Sequence, residues 1–535
     1  MRVELVVVVV VAMLLTPYPA QAAQDQAGPQ ATPLFVDRAK ELDLSEQYTG
    51  GWEFFVGGGV AAFDCNGDLL PELYLAGGSA EATLLRNTTK ARGNDISMVA
   101  ATPDILRQTG VIGAYPLDIN SDGILDLFIL RVGENLLLKG GADCSFTPFD
   151  GLGFDGGNSW TTAFSASWEK GNILPTLAVG NYVDRSDPKG PFEACDNNYL
   201  FRPRGDKYPA PIVLKPGYCA LSMLFSDWGR NGRQDLRVSN DRHYYVRGGL
   251  EQMWAMEAKP RLFTAADGWK EYSIWGMGIA SRDIDGDGFA EVFLSSMGDQ
   301  KLQRYDPSQK GPAFVDMTYE VGATAQRPYK GDDGRPSTGW QISFGDVDND
   351  GLDDVFIAKG NVEEMPSTAM KDPNNLLMQQ KDGTFTEAGG VSGLGTTERS
   401  RGAALIDLNL DGKLDVVVVN RNAPVEINQN VSANVGNWLA LDLSEDGANR
   451  DAVGAWIEVK GKVSSKERRW SREITVGGGD ASGVAAPEHF GLGALDKVSV
   501  RVIWPDGVKS RWYQVKANQI LRLERRGAGL DISVL

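Results

Sequence analysis

The chain has 535 residues, of which 42% are hydrophobic and 9% aromatic, with 63 glycines and a formal charge of −18. That apolar content is globular rather than disordered, and the acidic balance argues against nucleic acid or an anionic membrane surface as partner while suiting a chain that binds cations. The length could hold two or three ordinary domains, although all-β barrels and propellers often exceed the usual domain size.

In chain order, Arg2 precedes an apolar run from Leu5 to Leu15, and Ala20-Gln21-Ala22 follows as a small-residue cleavage pattern. This reads as a secretory signal peptide over 1–22, cleaved near Ala22. The run is too short to span a bilayer, and no other segment is an uninterrupted apolar span of transmembrane length. A secreted or periplasmic protein without a membrane span is therefore expected. Export makes the four cysteines disulfide partners. Cys195 and Cys219 flank a proline-rich stretch, read as an insertion at about 185–226, which leaves Cys65 with Cys144; free buried thiols are the alternative.

One acidic pattern then recurs: DCNGDLLPELYLA from Asp64, DINSDGILDLFIL from Asp118, DWGRNGRQDLRVS from Asp227, DIDGDGFAEVFLS from Asp283, DVDNDGLDDVFIA from Asp346 and DLNLDGKLDVVVV from Asp407. WEKGNILPTLAVG from Trp168 keeps the frame but not the carboxylates, and the steps between first positions are 54, 50, 59, 56, 63 and 61. Carboxylates on alternate positions repel one another and are costly to desolvate unless hydrated or neutralised by a cation. Calcium takes six to eight oxygens, and a glycine at the sharp turn lets alternate side chains converge on one ion.

The expected ligands are Asp283, Asp285, Asp287 and Glu291, with the Phe289 carbonyl, and Asp346, Asp348, Asp350 and Asp354. Amide oxygens replace one acid in Asp118, Asn120, Asp122 and Asp126, and in Asp407, Asn409, Asp411 and Asp415. The first loop offers Asp64, Asn66, Asp68 and Glu72, with Leu69 in place of the turn glycine; the fourth offers Asp227, Asn231 and Asp235, with Gly229 where a ligand is expected. Lys170 stands in the middle ligand position of the third unit, where its ammonium is expected to act as a built-in charge. These are not EF-hands. Position 12 holds Leu75, Ile129, Val238, Leu294, Ile357 and Val418 instead of a bidentate glutamate, and β-rich sequence follows. Several Ca²⁺ ions are expected, structural in role.

Phe35-Val36-Asp37, Phe314-Val315-Asp316 and Phe385-Thr386-Glu387 repeat in the flanks, so each unit reads as several short strands with no helix between. Four-stranded units repeated around an axis are propeller blades. The fold class expected is all-β: a seven-bladed β-propeller over 34–430, closed so as to remove exposed sheet edges, with an open solenoid as the competitor.

After Asn430 the period stops, and 431–527 reads as a small C-terminal β domain. Strand-like stretches are Trp438–Leu441, Ala455–Val459 and Val498–Trp504, with a turn at Trp504-Pro505-Asp506-Gly507. Val476-Gly477-Gly478-Gly479-Asp480-Ala481-Ser482-Gly483 is flexible enough for a loop that approaches another chain or a ligand, and packing glycines are the alternative.

The acidic repeats resemble FG-GAP/VCBS repeats of the integrin-α type. The C-terminal pattern of Asn449-Arg450-Asp451 with Gly454, Gly477-Gly478-Gly479, His489-Phe490-Gly491-Leu492-Gly493 and Trp504-Pro505-Asp506-Gly507 is similar to an ASPIC/UnbV domain. Together they resemble the bacterial relatives of cartilage acidic protein 1. The resemblance implies a seven-bladed, calcium-binding, extracytoplasmic propeller; Asp480-Ala481-Ser482 departs from the residues expected after the glycine run.

No GxSxG, HExxH or P-loop is present. The reading favours a binding, scaffold or adhesion-type protein for a protein or carbohydrate ligand. The alternative is a polysaccharide-lyase-like enzyme using His243 with Tyr244 and Arg242 as base, acid and charge stabiliser. His489, the other histidine, reads as structural.

Overall fold

A computed structural model of the chain describes residues 32–188, 190, 193–241, 249–324, 334–463 and 465–535. His243, Tyr244, Arg242 and the expected signal peptide lie outside them. Antiparallel four-stranded meanders repeat along the first four hundred residues, and the fold is all-β. The first comprises Val60–Phe63, Glu72–Leu75, Thr83–Asn87 and Met98–Ala100; the second Val111–Leu117, Asp126–Gly133, Leu136–Gly140 and Phe146–Pro148. The third comprises Ser159–Ser167, Thr176–Asn181, Asn198–Phe201 and Ile212–Leu214; the fourth Ala220–Ser226, Asp235–Asn240, Gln252–Ala255 and Arg261–Leu262. The fifth runs from Gly276–Arg282 to Phe314–Asp316 and the sixth from Gly339–Gly345 to Phe385–Glu387. The last holds Arg399–Ile406, Asp415–Arg421 and Glu426–Asn430, and its outer strand is Phe35–Asp37, with Phe35 opposite Asn430.

The first strands of successive sheets are neighbours, and Val60–Phe63 lies between Val111–Leu117 and Arg399–Ile406, which closes the ring. First and second strands are sandwiched between adjacent sheets, so Asp415–Arg421 is buried throughout and reads as an apolar run rather than an alternation. Outer strands have one free face: Phe314 is buried and its neighbour Val315 is half exposed.

The stretch 185–226 is not an insertion. It supplies Asn198–Phe201 and Ile212–Leu214 to the third sheet and Ala220–Ser226 to the fourth. Its prolines misled the reading because Pro203, Pro209, Pro211 and Pro216 all lie outside the strands, where no ladder hydrogen bond is lost. Both disulfides form as expected, Cys65 with Cys144 and Cys195 with Cys219.

Past residue 430 two further sheets face each other across a core that includes Leu439, Ile457, Phe490, Val500, Trp504 and Leu523. One orders Glu488–Gly493, Asn437–Ser444, Ile520–Arg526 and Gly529–Val534; the other orders Lys466–Glu473, Trp456–Val463, Lys497–Ile503 and Tyr513–Lys516.

The glycine run of this sandwich threads the ring. Val476–Gly477 pairs with Ser165–Ala166 and Leu224, Gly478 N–H donates to Met223 O (2.6 Å) and Gly479 N–H to Ile279 O (2.8 Å). Asp480 N–H donates to the Gln341 side chain, Ser482 Oγ accepts from Val60 N–H, and Gly483–Ala485 runs parallel to Ala61–Phe63. Tyr115 donates its hydroxyl to Gly478 O, and Gly402 abuts Ser482. One loop thus touches the innermost strand of each sheet. Its glycines serve close approach: Gly478 sits at φ 74° against Ile279, where a side chain has no room.

Candidate metal centres

Each acidic loop joins a first strand to a second and is held by its own backbone. In the loop from Asp346, the Asp346 carboxylate accepts from Asp350 and Gly351 N–H, Asp350 from Leu352 N–H, and Asp354 from Val347 N–H. The same ladder recurs from Asp118 and Asp407, where Asp126 accepts from Ile119 N–H and Asp415 from Leu408 N–H. Both oxygens of Asp346, Asp354 and Asp126 accept such bonds, which fixes each carboxylate in place. Side-chain to backbone bonds of this kind are why Asp and Asn are chosen over Glu at the early positions.

Two loops draw three carboxylates close. Ligand oxygens of Asp283, Asp285 and Glu291 lie within 4.8 Å of one another, as do those of Asp346, Asp348 and Asp354. Three oxygens this close share a point at most about 2.8 Å from each, near calcium's bonding range of about 2.3–2.6 Å. The donor set is hard oxygen throughout, and the buried Glu291 Oε1 has no hydrogen-bond partner among the described residues, so the residues fit a hard divalent cation. Asp287 and Asp350, the remaining expected ligands of these loops, fall outside the two trios. Cys65, Glu72 and Cys144 also lie together, but the disulfide between the cysteines removes both thiolates as ligands.

Burial and like charge make these carboxylates costly to ionise. Burial first, then Asp287 and Asp285, push Asp283 up to about 7; burial and Asp411 do the same to Asp407. Glu291, Asp346, Asp354 and Asp415 are driven well above the usual carboxylate range, by burial first and neighbouring acids second. Asp126 and Glu72 rise to about 7, chiefly from burial. A bound dication reverses this, favouring the charged form at every position it touches.

The first loop keeps the geometry despite lacking glycine. Leu69 adopts φ 72°, matching Gly123 at 85° and Gly351 at 92°, and still donates its N–H to Asp64. A left-handed leucine costs on the order of 1 kcal/mol, partly offset by the entropy glycine would lose on folding. Leu69→Gly is therefore expected to raise unfolding stability by about 0.5–1 kcal/mol, read as a higher urea midpoint with unchanged slope.

Two units carry an internal cation instead. In the fourth, Arg233 forks onto Asp235 through Nε and Nη2, both at 3.0 Å, while Trp228 Nε1 and Met256 N–H complete that carboxylate. Asp227 and Asn231 remain in place, but Asp235 is fully engaged. In the third, Lys170 is exposed and is not the internal charge expected of it. Glu169, the residue before it, accepts from the Thr176 hydroxyl (2.8 Å) and from Arg202 Nε (2.8 Å). Arg202 enters from a strand more than thirty residues on, which no local pattern reveals. Arg233 was legible as a basic residue inside an acidic frame.

The C-terminal sandwich covers this face. Arg472 pairs with Asp353 at 2.8 Å, both nearly fully buried, and Trp470 Nε1 donates to Gly351 O. Glu473 accepts from the Ser226 hydroxyl, Asp227 N–H and Gln234. Asn449 N–H donates to Ser121 Oγ, and Arg230 lies 3.9 Å over the Trp456 ring. His489 is buried with Nε2 3.0 Å from Gly412 O, and burial, then Arg472, hold its ring down at about 4. Gly491 passes so close to Asp346 that any side chain there would overlap it. The HFGLG motif is thus a surface cut to fit an acidic loop.

Comparison with known proteins agrees with this pairing. The family described as FG-GAP-like repeat matches residues 346–418, and that described as ASPIC and UnbV matches 445–529. Human cartilage acidic protein 1 is 28% identical over 160 residues, covering 28% of this chain and 21% of that protein. The mouse protein is 27% identical over 169 residues, covering 30% and 23%. The matched region spans less than a quarter of the length of these curated relatives. Among solved structures, BBS1N in complex with ARL6DN has a TM-score of 0.42 at 9% identity, covering 76% of this chain and 100% of that one. An Agrocybe aegerita lectin that recognises non-reducing terminal N-acetylglucosamine has a TM-score of 0.30 at 16% identity, covering 70% and 80%. Among the described residues, no helix is long and apolar enough to cross a membrane.

Proposed function

We propose that this chain, which carries an FG-GAP-like repeat and an ASPIC/UnbV domain, is an exported, calcium-stabilised seven-bladed propeller over 34–430. A sandwich over 431–527 is docked on its loop face. It works as a binding or scaffold protein of the adhesion type for a protein or carbohydrate ligand. The observation that carries the reading is the pair of carboxylate trios in successive units, Asp283/Asp285/Glu291 and Asp346/Asp348/Asp354, in which Asp283, Glu291, Asp346 and Asp354 are buried. Calcium supplies the positive charge that lets such trios stay ionised in a desolvated site. The chain's part is to preorganise the oxygens: backbone N–H groups fix each aspartate, and the sandwich packs against the loop from Asp346 through Trp470 and Arg472. The amide-containing loops from Asp118 and Asp407, and the first loop, offer further oxygen sets, whereas Arg233 fills that role from Asp227.

Calorimetric titration of calcium into protein stripped of metal tests this. Saturable binding is expected, with one event lost in Glu291→Gln and a different one in Asp354→Asn. Heats indistinguishable from buffer would overturn the reading. Edman sequencing of protein recovered from the culture medium or periplasm, starting near Ala23, tests export.

A further inference from the structure

The mouth of the ring on the side away from the acidic loops is a pocket, and nothing in the calcium reading uses it. Its wall comes from the segments that enter first strands or leave second strands: Trp52 and Phe55 before the first sheet, Trp160 and Tyr182 from the third, Trp340 from the sixth, and Asp241 just past the fourth sheet's second strand. Including its open mouth it holds about 430 Å³ of empty space. Trp52 and Trp160 meet edge to face at 4.9 Å between ring centroids, and Trp160 and Tyr182 at 4.8 Å, so each of the three rings stands steeply to the next.

Asp241 is a buried acid in this aromatic setting, 6% exposed. Its Oδ2 accepts from the Tyr182 hydroxyl at 2.6 Å, but its Oδ1 has no partner among the described residues. Burial pushes its carboxyl up to about 6, with the Tyr182 hydroxyl working against the rise. Arg401, packed on the pocket residue Trp340, has its donors taken elsewhere. That guanidinium stacks 4.1 Å over Trp340 and spends its donors on the carbonyls of Phe55, Ser400, Asn361 and Val362. An unpaired acceptor left buried is costly, and aromatic faces around a carboxylate attract cations.

We propose that this pocket binds an alkylammonium group, with Asp241 Oδ1 as the charge partner and Trp52, Trp160 and Tyr182 as the cage. A sugar is a poorer match, because it needs several polar groups in fixed places and the described wall is mostly ring and thioether surface. The ammonium group comes either from a free amine or from a lysine side chain of a protein partner, and the chemistry recognised is the same.

The test is calorimetry on the full chain in saturating calcium with four probes: n-butylammonium, Nα-acetyl-lysine methylamide, n-pentanol as neutral isostere, and methyl glucoside. Saturable binding of one or both cations and neither neutral probe is the expected result. Binding by the lysine derivative alone assigns the source to a protein, and binding by both leaves the free amine as sufficient. Asp241→Asn is expected to weaken the cation by about tenfold or more, and Trp52→Ala by about three- to tenfold. Trp52 is 38% exposed, so its variant keeps the test alive if Asp241→Asn does not fold. Equal affinity for pentanol, preference for the glucoside, or no saturation with either cation overturns the proposal. Because calcium is held saturating, those results leave the metal reading untouched.

Discussion

A chain ended at Asn430 is expected to lose its single cooperative melt and to bind hydrophobic dye. The glycine run from Val476 to Ala485 is the part of the core that all inner strands share. Without it, Gly478's contacts with Met223 and Tyr115, and Ser482's with Val60, are left open along the ring axis. On the loop face, Asp353 loses Arg472 and Gly351 loses Trp470. A gentler variant isolates the loop: Gly113→Ala, where a Cβ would overlap the Ala481 carbonyl. Overpacking against backbone costs about 1–3 kcal/mol and occasionally more, so a clear drop in urea midpoint is expected, with far-UV circular dichroism unchanged. A truncated chain that melts in one transition at the full-length temperature would show that the ring does not need its plug.

Excess EDTA is expected to lower the melting temperature by on the order of 10 °C, and added calcium to restore it. Each ligand held at about a hundred times its dissociation constant adds about 2.7 kcal/mol to stability, and at least two loops present a full carboxylate trio. Magnesium is expected to restore less, because it demands a small octahedral shell and keeps its waters. Scanning calorimetry with EDTA, then with each ion at matched concentration, checks both points. A melting temperature indifferent to EDTA would falsify the calcium account.

The parts of this molecule that could be read in advance are those whose chemistry is local. A cation loop needs oxygens at fixed short intervals, so Asp283 to Glu291 and Asp346 to Asp354 announced themselves, and strand character followed from the buried runs beside them. The pairing of Cys195 with Cys219 was legible for the same reason, being a short closure. What escaped depends on partners far along the chain. Arg202 reaches Glu169 from the next strand but one, and Gly477 to Gly479 are explained by strands two to three hundred residues away. The prolines of 203–216 mark turns between strands, which a composition argument cannot separate from a loop. The aromatic mouth left only a faint trace: Trp160 stands eight residues before the first position of a unit and Trp340 six, yet nothing local says that such residues converge.

Disulfides and carboxylate trios divide the ring between them. Cys65–Cys144 ties the first sheet to the second and Cys195–Cys219 ties the third to the fourth, whereas both carboxylate trios belong to the fifth and sixth. Thiol reductants should therefore loosen the first four sheets and leave the fifth and sixth to whatever their acidic loops hold.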